Sequence, residues 1–531
     1  MISLVIHGGT VYDGNGGPGV AGDVLVDGDR VATVGPRPDG LDADIIDATG
    51  LAVAPGFVNV LSHAWDSLQL DPSGASDLLQ GVTTEVFGEA LSLGPGGPDL
   101  AEYVGTWDLR GAEVDFPRLS DGLAYLERRG VAPNVASFVG AHNLRILGAG
   151  FQDGPMEAAA LDRMCCLLDE EMAEGALGIG TALIYPPGSH AGTAELVALS
   201  EVVSRHGGMY ISHVRNESSG LLSAVEEVIE ISRRASVRAE VYHLKSAGRE
   251  NWPMMTQAIE RIHTVRSAGE PVTADMYPYT AGSTALAAAI PPEYQIGGPR
   301  QLMSRLGDPR ERQRMAAAIR AGSADWENLY RASGGGTGVL LLADLADGTP
   351  ARGRQLSEVA ADLDLDEVDA LLEIVARDPS ISAAYFLMDE SNVRLGLRQP
   401  WVSIGSDARA HRAEAPWTDE AAHPRTYGTF ARVLGHYCRD VGLFSLGEAV
   451  RRMTSLPADN LCLPGRGRLE PGSAADVVVF DPAAVGDHAT YAEPHRYATG
   501  IHHVLVNGIP VVRGGLLTGQ HPGRRLRRGG G

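Results

Sequence analysis

Positive charge is what this 531-residue sequence has least of. Its 67 Asp and Glu outnumber 44 Lys and Arg, for a formal net charge of −23, and only one of those 44, Lys245, is a lysine. A chain this acidic is a poor match for nucleic acid or an anionic membrane, since both are bound through basic surface. An anionic small molecule would have to be met by a local cluster of cations. Cysteine is also scarce: Cys165, Cys166, Cys438 and Cys462 form no CxxC pair and no metal-type spacing. That argues against a disulfide framework and makes a reducing cytoplasm the expected compartment. No apolar run approaches the ~18 residues of a membrane span, and the start has no basic segment ahead of a long apolar core, so no signal peptide is expected. No Gly-x-Gly-x-x-Gly follows an early strand, which weakens a doubly wound dinucleotide-binding sheet.

What remains, at 44% hydrophobic and 21% charged residues with 66 glycines, fits a globular protein with one large and one smaller domain. Short strand-like runs separated by Gly and Asp turns fill residues 1–57, and the same texture returns over 458–520. The two ends are expected to pair into one small β-sandwich. From 58 to 457, apolar runs such as Val82–Phe87, Met209–His213, Ala239–Leu244 and Trp401–Gly405 alternate with amphipathic stretches such as Leu161–Glu174 and Leu221–Arg234. That rhythm predicts an α/β fold, a (β/α)8 TIM barrel. An insertion or lid is expected at about 287–354, with one helix over Gln301–Arg320, and residues 521–531 read as a frayed basic tail.

In such a barrel the active site lies at the carboxyl ends of the strands. His63, Glu89, His142, His213, His243 and Asp407 each follow an apolar run. Imidazoles and carboxylates converging from successive strand ends suit a zinc site, because both are zinc ligands. Lys245 follows His243 by two residues, a spacing that on a strand puts both side chains on one face. An ammonium differs from a guanidinium in being a compact, titratable point charge, so a lone lysine beside a histidine suggests a site.

Pro55-Gly-Phe, Gln80-Gly-Val-Thr-Thr84, His213-Val-Arg-Asn-Glu217, His243-Leu-Lys245, Tyr277-Pro-Tyr279, Gly405-Ser-Asp407, His423-Pro-Arg425 and Gly467-Arg-Leu-Glu-Pro-Gly-Ser-Ala-Ala-Asp476 run in order along nearly the whole chain. Together they resemble the N-acyl-D-amino-acid deacylases (D-aminoacylases) of the amidohydrolase superfamily. The resemblance implies a TIM barrel with an accessory β-sandwich and hydrolysis of an N-acyl amino acid by a metal-activated water. It also implies that His213 and His243 bind zinc, that Asp407 takes the water's proton and delivers it to the leaving amine, and that Lys245, Tyr277 and Arg425 hold the substrate carboxylate; Ser283 is a further candidate for substrate binding. His63 and His142 would each hydrogen-bond the substrate carbonyl or merely fill the barrel mouth, and His63 is also a weak candidate metal ligand.

Two departures from the family stand out. A His-x-His pair at the end of the first strand is here Leu61-Ser-His63, and a ligating cysteine after the second is replaced in Gly88-Glu89-Ala-Leu. Leucine cannot bind zinc, whereas glutamate can, so one zinc per chain is expected, held by Glu89, His213 and His243. Three readings stay open beside the deacylase: a cyclic-amide hydrolase, an enzyme of larger peptide-like amides, and a degenerate barrel kept as a binding protein. Acyl group, chirality and oligomeric state are not legible.

Overall fold

A computed structural model describes residues 2–38, 40–104, 111–154 and 156–530. Strands β1 (Leu4–Val11), β2 (Val20–Asp27), β3 (Arg30–Gly35), β4 (Asp44–Asp47) and β5 (Ala52–Pro55) open the chain. The barrel follows with β6 (Phe57–Asn59), β7 (Val82–Phe87), β8 (Asn134–Ser137) continuing as β9 (Val139–Gly140), β10 (Gly178–Ala182), β11 (Met209–His213), β12 (Arg238–Val241) and β13 (Val272–Met276). After β14 (Gly282–Ala285), β15 (Val339–Leu341) and β16 (Ser382–Tyr385), the strand β17 (Val402–Ile404) completes the barrel, and β18 (Val477–Phe480), β19 (Ile501–Val506), β20 (Ile509–Arg513) and β21 (Leu516–Leu517) end the set.

All barrel pairings are parallel: β6 to β7 to β8 in one sheet, and β9 to β10, β11, β12, β13 and β17 in the other. A parallel bridge between Ser62 and Ala408 joins the first strand's end to the last's and closes the ring. The eight-stranded TIM barrel expected from the sequence is therefore present. Side chains of Val58, Val60, Val86, Phe138, Ile211 and Tyr242 fill its interior, so it is a packed core. Its outer helices follow the 3.6-residue period: Leu221–Ala235 buries Leu221, Ala224, Val225, Val228, Ile229 and Ile231 on one face, and stops where Ser236 turns left-handed at φ +50°.

The strands from the two chain ends lie in one nine-stranded sheet, in which β5 pairs antiparallel with β18 and parallel with β1. Three expectations need correction. The tail is not frayed: Gly523 N–H donates to Val131 O (2.8 Å) and Leu526 N–H to Val135 O (2.7 Å), and Leu526 packs on the barrel-interior cluster. Short and basic it is, but its backbone is paired, which composition does not reveal. The insertion runs past 354: helix Glu367–Arg377 and β16 share a core with Leu302, Met315 and Leu329 rather than with the barrel. Their alternation of strand and helix imitates a barrel unit in sequence. The helix expected over Gln301–Arg320 is two, Pro299–Gly307 and Pro309–Ala321, broken where Asp308 caps the second ahead of Pro309.

One outer helix carries a titratable core position. Glu171 on Ala158–Ala173 is 4% exposed and accepts from Leu119 N–H at 3.1 Å, and burial raises its pKa to about 7. Because the folded value lies above the unfolded one, its stabilising share is complete below about pH 4.5 and is lost as pH rises through about 7. A Glu171→Gln variant, which keeps an acceptor but no charge, is expected to melt higher than wild type at pH 8 and alike at pH 4. Equal melting differences at both values, read by circular dichroism, would contradict this.

Candidate active site

Parallel register places the strand ends at one level: Ala182 pairs with His213 and Ser212 with Val241. His213 is the last residue of β11. His243 stands two residues beyond β12, not on it, and takes a left-handed φ of +36°, as Asp407 does at +52° beyond β17. Such a backbone costs about 1–3 kcal/mol per residue and is retained where the surroundings enforce it. For His243 the enforcing contact is its N–H to Asp275 Oδ1 at 3.0 Å; for Asp407 it is its N–H to Leu61 O at 2.9 Å. Lys245 and His243 thus come together through a turn and not through the pleat of a strand. Glu89 follows Gly88, whose φ is +110° and whose position would bring a Cβ within 2.4 Å of Phe138 O, so glycine lets this turn press against the neighbouring strand.

Glu89 is the hub. Its Oε1 lies 3.0 Å from His213 Nδ1 and 3.2 Å from His243 Nε2, and its Oε2 lies 3.0 Å from His63 Nε2. Two triplets of donors result, Glu89–His213–His243 and His63–Glu89–Asp407, each with its ligand atoms within 4.8 Å of one another. The imidazole rings of His213 and His243 stand 4.4 Å apart at 85°, as two ligands on one ion would. A nitrogen–oxygen donor set of this kind fits zinc. Leu61 is 1% exposed among the barrel-interior side chains, so its side chain offers the second triplet nothing.

Burial pushes Asp407 up, but the Arg425 guanidinium (2.6 Å) and the His63 ring (3.0 Å) overcome it and hold the carboxyl below its usual range. Burial likewise lowers His63, yet Asp407 and Glu89 carry it up to about 9. Arg425 also donates to the backbone oxygen of Ser283 at 3.3 Å and stacks 4.8 Å from the Tyr277 ring centroid, so Ser283 meets it through backbone and not hydroxyl. Lys245 lines the same cavity, but its Nζ is already 2.7 Å from Glu217 Oε1. Burial disfavours its charge, and the Glu217 carboxylate more than compensates, raising it above the ordinary lysine value. His142 is built into the wall: Nε2 faces Ala182 O at 3.2 Å, which makes that nitrogen the donor, and burial lowers its pKa to about 4. Its Nδ1, which has no partner among the described residues, is therefore an acceptor and cannot polarise a carbonyl.

Glu217 and Glu327 were not singled out from the sequence. Glu217 is buried at ion-pair distance from His213, His243 and Lys245, and its backbone N–H donates to Glu327 Oε2 at 2.6 Å. Its position four residues after His213 was the available signal. Glu327 lies in the insertion, where no motif pointed to it.

These residues open on one cavity of about 700 Å3, roofed by insertion residues including Leu302, Met303, Leu329 and Leu342. A model described as "Amidohydrolase family" matches residues 369–512. The D-aminoacylase of Alcaligenes xylosoxydans xylosoxydans is 36% identical over 99% of this chain and 97% of its own, and the N-acyl-D-glutamate deacylase of the same organism is 34% identical over 99% and 97%. A crystal structure of D-aminoacylase superposes with a TM-score of 0.82 at 34% identity, covering 99% of this chain and 100% of that one. The N-acyl-D-glutamate deacylase of Bordetella bronchiseptica, complexed with zinc and a phosphonate mimic of the tetrahedral intermediate, gives 0.83 at 30%, covering 99% of each. Fold, motifs and full-length similarity agree: the chain belongs to the D-aminoacylase branch of the amidohydrolase superfamily.

Proposed function

We propose that the protein is a zinc-dependent amidohydrolase that removes the acyl group from N-acyl-D-amino acids. The observation that carries this reading is the convergence of Glu89, His213 and His243 on one point, with Asp407 and Arg425 across the same cavity. Those three side chains would hold one zinc ion, leaving a position open, the arrangement of a catalytic and not a structural site. Bound there, zinc supplies Lewis acidity that lowers the pKa of a water to about 7. Asp407, ionised and facing His63, accepts a proton and returns it to the departing amine. Arg425 and Lys245, with the Tyr277 ring between them, bind the substrate carboxylate. Each already has a carboxylate partner in the structure, so substrate binding exchanges one acceptor for another and adds no buried charge to an unpaired cation. His63 orients Asp407 and Glu89. The primary test is release of acetate from N-acetyl-D-methionine by purified protein, with and without chelator; no hydrolysis by zinc-loaded protein would overturn the reading.

The cavity also limits the amino-acid side chain. Among the described residues, every Lys or Arg lining it is already paired: Lys245 with Glu217, Arg409 with Asp66 and Arg425 with Asp407. The roof adds apolar side chains together with Asp344 and Asp378. With Lys245 and Arg425 taken by the substrate carboxylate and Arg409 held by Asp66, an acidic side chain would lose water and gain no partner, at about 1.5–3 kcal/mol for a missing charged hydrogen bond. N-acetyl-D-leucine is therefore expected to show a kcat/KM roughly 10- to 100-fold above that of N-acetyl-D-glutamate. Preference for the glutamate derivative would disprove this assignment of the cavity.

A further inference from the structure

The two histidines turn different nitrogens toward Glu89, Nδ1 of His213 and Nε2 of His243. Their opposite nitrogens lie near a single second carboxylate: His243 Nδ1 is 3.1 Å from Glu217 Oε1, and His213 Nε2, which has no hydrogen-bond partner among the described residues, is 3.5 Å from Glu217 Oε2. Glu217 is 3% exposed. We infer that Glu217 is a positioning residue that selects the tautomer of both histidines, and that Glu327 holds it in place from the insertion. This rests on the metal-site reading above.

A histidine binds a metal through an unprotonated nitrogen, and an acceptor behind the ring fixes which nitrogen that is. Only His213 with its proton on Nε2 and His243 with its proton on Nδ1 present bare nitrogens toward Glu89. Lys245 works against this arrangement at His243, because its Nζ is 2.7 Å from Nδ1. An ammonium donating there would leave the proton on Nε2 and close that nitrogen to a metal. Glu217 decides the contest: it accepts from Lys245 Nζ at 2.7 Å and lies within reach of Nδ1 itself. Being a carboxylate, it can accept from both rings and the ammonium together, whereas an amide would turn its NH2 toward one of them. Behind it, Glu327 is 5% exposed, and one oxygen accepts from the Glu217 N–H while Oε1 has no partner among the described residues. The carboxyl is thus a strut between the insertion roof and the loop that carries Glu217.

The test is zinc affinity of the full chain, measured against a chromophoric chelator, together with the visible absorption of the cobalt(II)-loaded protein. Glu217→Gln is expected to weaken zinc binding by about 10- to 100-fold and to shift the cobalt bands. Glu327→Leu should weaken zinc binding in the same direction, whereas Glu327→Gln, which retains an acceptor oxygen, should restore it. A simple loss of packing would not separate these two variants. Wild-type protein that binds zinc, with Glu217→Gln unchanged within twofold in affinity and in spectrum, overturns the role of Glu217. Should Glu217→Gln not fold, equal zinc affinities for Glu327→Leu and Glu327→Gln overturn it instead. Wild-type protein that binds no zinc overturns the metal-site reading underneath.

Discussion

Replacing Asp407 with asparagine is expected to lower kcat by about 10²- to 10⁴-fold, the range a positioned acid–base group contributes, while leaving one zinc per chain and a KM within a few-fold. The substitution is nearly isosteric and keeps the backbone bond to Leu61 O that fixes the left-handed turn. What it removes is the ability to accept a proton and the charge that Arg425 and His63 face. Asp407 is not among Glu89, His213 and His243, so metal content separates the two functions. A variant with more than a tenth of wild-type kcat, or one that loses its zinc, would show that Asp407 has been given the wrong task.

The second large effect belongs to Glu89. Glu89→Ala removes a carboxylate that touches His213, His243 and His63 together. Zinc by elemental analysis should fall from one per chain to a small fraction. Activity should fall with it by on the order of 10³-fold or more, since a metal ion supplies several kcal/mol of transition-state stabilisation. Wild-type protein holding two tightly bound metals, or full activity in metal-free protein, would refute the single-zinc site. D-aminoacylase itself has been described as having a binuclear centre with one-metal activation and second-metal attenuation. Here the buried Leu61, whose side chain can bind no metal, argues for one.

The barrel was legible because its strands are apolar runs that end in polar residues, and a run such as Met209–His213 stops in the structure where it stops in the sequence. The convergence of Glu89, His213 and His243 was legible for the same reason. Three things were not. Lys245 stood out as the only lysine, but its partner Glu217 sits in a loop, where no periodicity indicates which way a side chain turns. The insertion continues beyond 354 because its later helix and strand have the period of a barrel unit, and only packing tells them apart. The pairing of the tail beneath the barrel depends on backbone hydrogen bonds, to which composition is blind.

The nine-stranded sheet has a consequence for how the chain is made. β5 needs β18 along one edge, with Val53 opposite Val479, and β18 is encoded about 420 residues later. At roughly 5–20 residues per second of translation, that edge would leave the ribosome about 20–80 s before its neighbour exists. For that interval Ala52, Val53 and Ala54, all buried in the finished protein, present an open strand edge while the barrel is being synthesised. Strand β5 is thus among the last elements to gain its neighbour, and until then its edge is open to pairing with its counterparts on neighbouring nascent chains.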